Sequence, residues 1–306
     1  MDQIIVNQVI ILFLLMAAGG MMRKKGFLNE TLASGLSVIL INLSLPALIL
    51  KSFMFEFSLH FLLNGLLVFG LSVIVHGSLF VIAKIAFSRY SDDKRTILVF
   101  AGIFPNAGFM GLPLIDALFG QIGVFYASIF MIPYNLFLWT YGQDLFCKEK
   151  SNTPLLSRII TYSLNPAIIA TGAGLLLFLF SIKLPVPVTS ALSMLGGMTL
   201  PLSMIIVGNR IAQVHAVDLI SDKDVYYNSL VRLIFVPIAT FGILKVFAVD
   251  PEIARVCVAV EAMPAAVIAV VFAQMYDGDA IFASKCVVIQ HALSLITIPV
   301  MLMLLT

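Results

Sequence analysis

Asn106 is the first residue of this sequence whose type and position suggest chemistry. It directly follows Pro105, inside an apolar run that extends from 97 to 119. Proline interrupts a helix, and a break at membrane depth survives only where protein or a wet cavity surrounds it. An asparagine amide beside such a break, together with exposed backbone N–H groups, can bind a carboxylate. We therefore predict an anion-binding site at Pro105, Asn106, Ala107 and Gly108. The alternative is that the amide only satisfies the carbonyl groups that Pro105 sets free.

Glu261 is the second such residue. It lies three positions before Pro264, within another apolar run, and Pro264 and Ala265 are predicted to form the second half of the binding site. A carboxylate inside a membrane is costly and marks a functional site by default. Glu261 is therefore our candidate coupling residue, which would bind a proton or a sodium ion or be neutralised by a positive partner. The alternative is a helix–helix hydrogen bond, or a position nearer the outer surface.

Other polar residues also lie within the apolar runs, and we expect them to have supporting roles. Asn42 and Ser44, just before Pro46, are expected to line the opposite side of the same cavity or to cap a bend. His76 and His291 suit packing or hydrogen bonding better than proton relay. Arg210 and Arg232 are expected near the inner membrane surface, with their side chains extended to the lipid headgroups.

Several kinds of chemistry are not indicated. Cys147, Cys257 and Cys286 lie far apart without metal-ligand spacing, so we expect no metal site. The sequence contains no His-Glu-x-x-His pair, no Gly-x-Ser-x-Gly elbow and no Walker-type phosphate loop. We expect no catalytic residues and no cofactor, and thus no enzyme; any transport would draw its energy from gradients. Nothing suggests a nucleic-acid partner.

Composition indicates the elements that must position these residues. Hydrophobic residues make up 61% of the 306 residues and charged residues 11%, with a mean hydropathy of +1.08. Soluble domains carry about 25% charged residues, so this is an all-α polytopic membrane protein, with the lipid bilayer as its surroundings. Ten spans are predicted, at 3–22, 31–52, 57–87, 97–118, 122–146, 159–181, 188–212, 226–248, 253–275 and 281–305.

The basic residues predict the orientation of these spans. If the N-terminus is extracytoplasmic, 14 of the 18 lysines and arginines fall at inner ends, and only Lys51, Lys183, Lys245 and Arg255 fall outside. This is a strong positive-inside bias. An even number of spans then places both termini outside the cytoplasm of a cell-membrane protein.

An internal repeat is also predicted. Asn42–Pro46 resembles Gly197–Pro201, and Phe104–Ala107 resembles Met263–Ala266, at separations of 155 and 159 positions. With an odd number of spans in each repeat, the halves 1–146 and 159–306 take opposite orientations, joined by a short cytoplasmic linker at 147–158. Interrupted helices at matching positions of inverted halves are typical of a transporter binding site. Chance similarity among apolar segments is the alternative.

At these two breaks the chain resembles the auxin efflux carrier family, which includes plant PIN-type carriers and bacterial malonate-type permeases. The resemblance lies in Pro105-Asn106-x-x-x-Met110-Gly111-Leu112-Pro113 and in Met263-Pro264 through Tyr276, ending in Ile298-Pro299. It implies two inverted five-helix repeats with crossed, broken helices four and nine, and Asn106 as a substrate contact. It also implies a dimerising scaffold of spans one, two, six and seven, past which the other spans slide like an elevator.

Two departures from the family pattern matter. The segment Cys147–Arg158 is short where PIN-type carriers have a long loop, so regulation through that loop is not implied. Pro264 is followed by Ala265-Ala266 rather than by a polar residue, which makes that half of the site less polar.

Four functions are weighed. The favoured one is a secondary transporter of a small organic anion, either a carboxylate or an auxin-like molecule. The runner-up is a sodium- or proton-coupled carrier of the bile-acid-symporter or antiporter type, which usually has more acidic residues at the crossing. An intramembrane enzyme lacks its motifs, and a receptor would usually add a soluble output domain.

Overall fold

The computed structural model describes residues 2–147, 164–212 and 222–305. The predicted linker after Cys147, and residues 159–163 of the sixth predicted span, lie outside these ranges. Seven helical segments of the described part are long and apolar enough to cross a membrane: Ile5–Lys24, Glu30–Ser52, Leu59–Ala86, Ala107–Gly142, Val186–Ile211, Lys223–Val246 and Ala280–Leu304. Pro166–Leu179 is a shorter apolar helix. The prediction of a helical, multi-pass membrane protein is thus confirmed.

The described α-helices are numbered in chain order. They are α1 Asp2–Lys24, α2 Glu30–Ile39, α3 Leu45–Ser52, α4 Leu59–Ala86, α5 Asp92–Ile103, α6 Leu112–Phe137 and α7 Pro166–Leu179. The second part of the chain contributes α8 Val186–Gly197, α9 Thr199–Ile211, α10 Lys223–Leu230, α11 Val236–Val246, α12 Pro251–Glu261, α13 Ile268–Met275 and α14 Ala280–Leu305. Four π-helical turns join some of them: Leu40–Ser44, Ala107–Gly111, Leu138–Gly142 and Val231–Phe235.

Prolines account for most of the irregular positions. Three of the described π turns end two residues before a proline, at Pro46, Pro113 and Pro237. A proline removes one helical hydrogen bond and clashes with the preceding turn, and a widened turn absorbs both effects. Pro105 and Pro264 go further, because α5 and α12 stop before them and the chain continues in an extended form.

Helix α6 contains a kink at Gly120, whose φ of 61° and ψ of −155° are not helical. Glycine has no Cβ, so it adopts this conformation at little steric cost. The kink lies between the predicted fourth and fifth spans, 97–118 and 122–146, and separates two helices within α6.

The helices pack as two groups. Helices α1, α2, α3, α7, α8 and α9 contact one another and are called the flanking bundle; the remaining described helices form the crossing bundle. Within the flanking bundle α1 and α9 approach closely, since a Cβ on Gly208 would lie only 1.9 Å from the carbonyl oxygen of Met16. The two bundles meet where α9 contacts the turn Ala107–Gly111, where α1 contacts α14, and where α3 contacts α6.

Candidate crossing site

The two breaks lie side by side and antiparallel. Pro105 and Ala265 form an isolated bridge. The backbone N–H of Asn106 donates to the Pro264 carbonyl at 2.7 Å, and the N–H of Ala266 donates to the Phe104 carbonyl at 2.9 Å. The structure therefore brings together Pro105, Asn106, Pro264 and Ala265, which sequence reasoning placed in one site.

Side chains satisfy further backbone groups that the breaks expose. The Tyr134 hydroxyl donates to the Pro105 carbonyl at 2.7 Å, and the Ala265 N–H donates to Gln290 Oε1 at 2.8 Å. Gln290 Nε2 in turn donates to Asn228 Oδ1 at 2.6 Å, and Asn228 Nδ2 donates to the Leu98 carbonyl at 2.7 Å. A lipid bilayer offers no hydrogen-bond partners, so such internal satisfaction is what permits a break at membrane depth.

Asn106 is 4% exposed, and its side chain is part of this polar interior. Its Nδ2 lies 3.1 Å from Nε2 of His291, whose Nδ1 lies 2.8 Å from the Val287 carbonyl. A carbonyl only accepts, so His291 Nδ1 carries the proton and Nε2 accepts from the amide. The predicted hydrogen-bonding role of His291 is confirmed. Met110 and Gly111 donate to the Asn106 carbonyl, which starts the π turn.

Glu261 lies in a fully buried ion cluster. Its Oε2 is 2.9 Å from Nη2 of Arg232, and its Oε1 is 3.1 Å from Nε2 of His76. All three side chains are 0–1% exposed. Of the alternatives weighed for Glu261, a positive partner is therefore present, and a position near the surface is wrong.

The expected headgroup position of Arg232 is wrong. Arg232 lies in the π turn midway along Lys223–Val246 and is 0% exposed. Its side chain turns inward because the breaks supply backbone acceptors: the carbonyls of Met263, Ile103 and Glu261, at 3.0, 2.6 and 2.5 Å. Sequence reasoning missed this role because periodicity alone does not show which acceptors lie across the bundle.

Asn42 and Ser44, which were predicted on the opposite side of the cavity, lie in the π turn Leu40–Ser44 of the flanking bundle. Asn42 is exposed and donates to the Val38 carbonyl of its own helix at 2.9 Å. Ser44 is fully buried, and its hydroxyl has no hydrogen-bond partner within the described residues.

Gly108, which was predicted in the same site as Asn106, is half-buried, and open space surrounds the position of its absent Cβ.

A cavity of about 360 Å³ lies between the two bundles. The flanking bundle contributes Val207 and Arg210 from α9, and the crossing bundle contributes Val267, Gln274 and Lys285. Val267 directly follows the crossing, so the cavity extends from the two basic side chains to the edge of the break. Arg210 was expected to extend to headgroups; it is half-buried and lines this cavity instead.

The residues that contact the two breaks and Glu261 are related in pairs by one constant spacing in the sequence. Tyr134 and Gln290 are 156 positions apart, and so are His76 and Arg232. Each pair contacts the breaks or Glu261, as described above, and the spacing is that of the predicted repeat. Aligning the two halves at this offset would have identified Arg232 as the counterpart of a buried histidine.

Comparison with known proteins agrees with these features. The model of the family described as membrane transport protein matches the chain twice, at residues 4–158 and 148–302. An uncharacterized transporter of Methanothermobacter thermautotrophicus is 26% identical over 294 residues, which cover 95% of each chain. An uncharacterized transporter of Methanocaldococcus jannaschii is 23% identical over 307 residues, again 95% of each chain.

Proposed function

Because the chain belongs to the membrane transport protein family, that of the auxin efflux carriers, we propose that it is a secondary carrier of a small organic anion. The observation that supports this most directly is the crossing of two interrupted helices at the edge of a cavity with two basic side chains. Such a break presents backbone dipoles to a ligand without the cost of exposing them to lipid.

The electrostatics of the crossing favour an anion. After the break the chain resumes with the turn Ala107–Gly111 on one side and with α13 on the other, and helix N-termini carry partial positive charge. Arg210 and Lys285 add positive charge along the cavity, against the single carboxylate of Glu30. A carboxylate of the substrate would bind beside Pro105, Asn106, Ala107 and Gly108.

The proposed site has a second wall. Pro264 and Ala265 form the other strand of the crossing and complete the predicted pocket. Asn42 and Ser44, in the π turn before Pro46, belong to the flanking bundle. We propose that they face the substrate when the crossing bundle moves to a different level in the membrane.

The architecture proposed is ten spans in two inverted five-helix repeats, with both termini extracytoplasmic. The common spacing of 155 to 159 positions between the matching residues of the two halves supports the repeat. The division into two bundles supports an elevator mechanism, in which the flanking bundle is the dimerising scaffold and the crossing bundle carries the substrate. Movement of one bundle past the other would open the site to each side in turn.

Glu261 is proposed to couple transport to a proton held with His76. His76 Nδ1 lies 2.8 Å from the Ser72 carbonyl, which can only accept, so that nitrogen carries a proton. His76 Nε2 then lies beside Glu261 Oε1, and the contact is favourable only if one of the two atoms carries a further proton. Arg232 and the ring of Tyr134 also face this pair.

The test is anion uptake by the full-length protein in proteoliposomes, with a panel of mono- and dicarboxylates. We expect saturable uptake of at least one carboxylate, weakened by Arg210→Gln and by Lys285→Gln. Lys183→Gln is the matched control, since Lys183 is exposed and paired with Glu56 outside the cavity. Uptake of neutral or cationic solutes in place of carboxylates would contradict the proposal. Uptake that requires sodium would instead favour a carrier of the bile-acid-symporter type.

A further inference from the structure

Arg232 fills an oxygen-lined space between the ends of two half-helices. Its Nη1 donates to the carbonyl of Ile103, the last residue of α5. Its Nη2 donates to the carbonyl of Glu261, the last residue of α12. Its Nε donates to the Met263 carbonyl inside the second break, and the Glu261 carboxylate supplies a further oxygen. One guanidinium group therefore binds both helix ends.

These oxygens are suited to a metal cation. The C-terminal end of a helix carries a partial negative charge of about half an elementary charge, and two such ends meet here. In carriers with broken helices, unwound carbonyls and half-helix C-termini coordinate the coupling Na⁺. Carbonyl and carboxylate oxygens are the ligands that hard cations prefer.

The position of Arg232 is not explained by neutralisation of Glu261 alone. Only one of its short contacts goes to the carboxylate, whereas three go to backbone carbonyls of two different elements. An arginine remains charged under all physiological conditions and has a fixed fork of donors, so it can hold such a set of acceptors permanently.

We propose that Arg232 is the built-in cation of the crossing and occupies the place that a coupling sodium ion would take. This inference rests on the proposed transport function and specifies its energetics: no sodium ion binds between α5 and α12 during the cycle. Arg232 positions both breaks through their carbonyl groups.

The first test compares sodium with choline at constant ionic strength, using the purified full-length protein without substrate. We expect the thermal midpoint of the wild type to be the same in both salts. A sodium-dependent rise of the midpoint overturns the inference. Because this measurement needs no substrate, a failure to find a transported anion leaves its result standing, and anion uptake alone tests the proposed function.

The second test removes the guanidinium group of Arg232 from the oxygen-lined space. Arg232→Ala leaves the carbonyl oxygens and the Glu261 carboxylate without their cation, so we expect a lower thermal midpoint that sodium, or guanidinium ion far below denaturing concentrations, raises again. Arg232→Lys keeps the charge but not the fork, and we expect an intermediate midpoint. An Arg232→Ala protein that is as stable as the wild type, or that responds to neither cation, contradicts the proposal.

A double variant covers the case in which Arg232→Ala does not fold. Arg232→Ala with Glu261→Gln removes both buried charges, whereas removing one partner of a buried ion pair is strongly destabilising because the other charge stays buried and uncompensated. We expect the double variant to fold and to ignore sodium. If sodium stabilises it strongly, Glu261 is not part of the cation space and the assignment is wrong.

Discussion

We expect the crossing of the two broken helices to stay intact when the side chain of Asn106 is removed. Its backbone N–H and carbonyl make the bonds to Pro264, Met110 and Gly111, and only the amide contacts His291. We therefore expect Asn106→Ala to stay folded while losing most of the carboxylate-dependent rise in thermal midpoint. A thermal-shift titration with the transported carboxylate measures this. Ser88→Ala, which loses one bond to the Ile85 carbonyl in an exposed turn outside the proposed site, is the control for stability.

An unchanged ligand-dependent shift in Asn106→Ala would place the substrate elsewhere. It would also favour a purely structural role for this amide. The bond between Asn106 Nδ2 and His291 Nε2 accounts for one donor without any substrate, although it differs from the bond to carbonyl groups set free by Pro105 that was weighed from the sequence.

His76 is the residue through which the pH response is tested most cleanly. Replacing Glu261 would leave Arg232 buried without its carboxylate, whereas His76→Gln keeps a hydrogen-bonding side chain and removes only the titratable ring. We expect the pH dependence of carboxylate uptake to flatten in His76→Gln, with uptake still measurable. His60→Gln is the matched control, because His60 is exposed and pairs with Asn64 on the same helix. If His76→Gln leaves the pH dependence of carboxylate uptake unaltered, the coupling proton is not held by His76 and Glu261.

At the scale of elements, the close contact of α1 with α9 sets the rigidity of the flanking bundle. A Cβ on Gly208 would lie 1.9 Å from the Met16 carbonyl, and one on Gly19 would lie 2.2 Å from the Ile205 carbonyl. Small residues let two membrane helices approach at this distance. We expect Gly208→Ala to destabilise the protein by about 1–3 kcal/mol through overpacking.

The measurement for Gly208→Ala is the thermal midpoint in detergent. Gly77→Ala serves as the control, because no atom lies within 4 Å of the Cβ that it would add in α4. We expect the control to match the wild type. Equal midpoints for Gly208→Ala and wild type would mean that α1 and α9 separate easily, which an elevator scaffold should not do.

The sequence predicted the two helix breaks but not the side chains that contact them. Pro105 and Pro264 act on their own backbone, so a local rule predicts where α5 and α12 end. Arg232 is different: its carbonyl partners are 29 to 129 positions away and become visible only when the helices are packed. Apolar periodicity does not distinguish an arginine that faces lipid headgroups from one that faces the centre of a bundle.

At the scale of the whole molecule, the contact between the bundles opposite the cavity can be used to stop their movement. Gln121, beside the Gly120 kink in the crossing bundle, donates from Nε2 to the carbonyls of Lys51 and Met54 at 3.0 and 3.3 Å. Lys51 lies in the last turn of α3 of the flanking bundle, and Met54 lies two residues after the end of that helix. On the predicted orientation these residues lie on the extracytoplasmic side, so we expect their contact to close that side and the cavity with Arg210 and Lys285 to open to the cytoplasm.

A covalent link across this contact should therefore stop transport. We expect the pair Met54→Cys and Gln121→Cys, joined by a short cleavable reagent, to lose carboxylate uptake and to regain it on cleavage. Glu56→Cys with Lys183→Cys is the matched control: their wild-type side chains lie 3.0 Å apart, and both lie in segments adjoining the flanking bundle. A link within the scaffold leaves the crossing bundle of an elevator free to move, so the control should keep its uptake after joining. Equal uptake by both linked pairs would show that the substrate crosses without relative movement of the bundles.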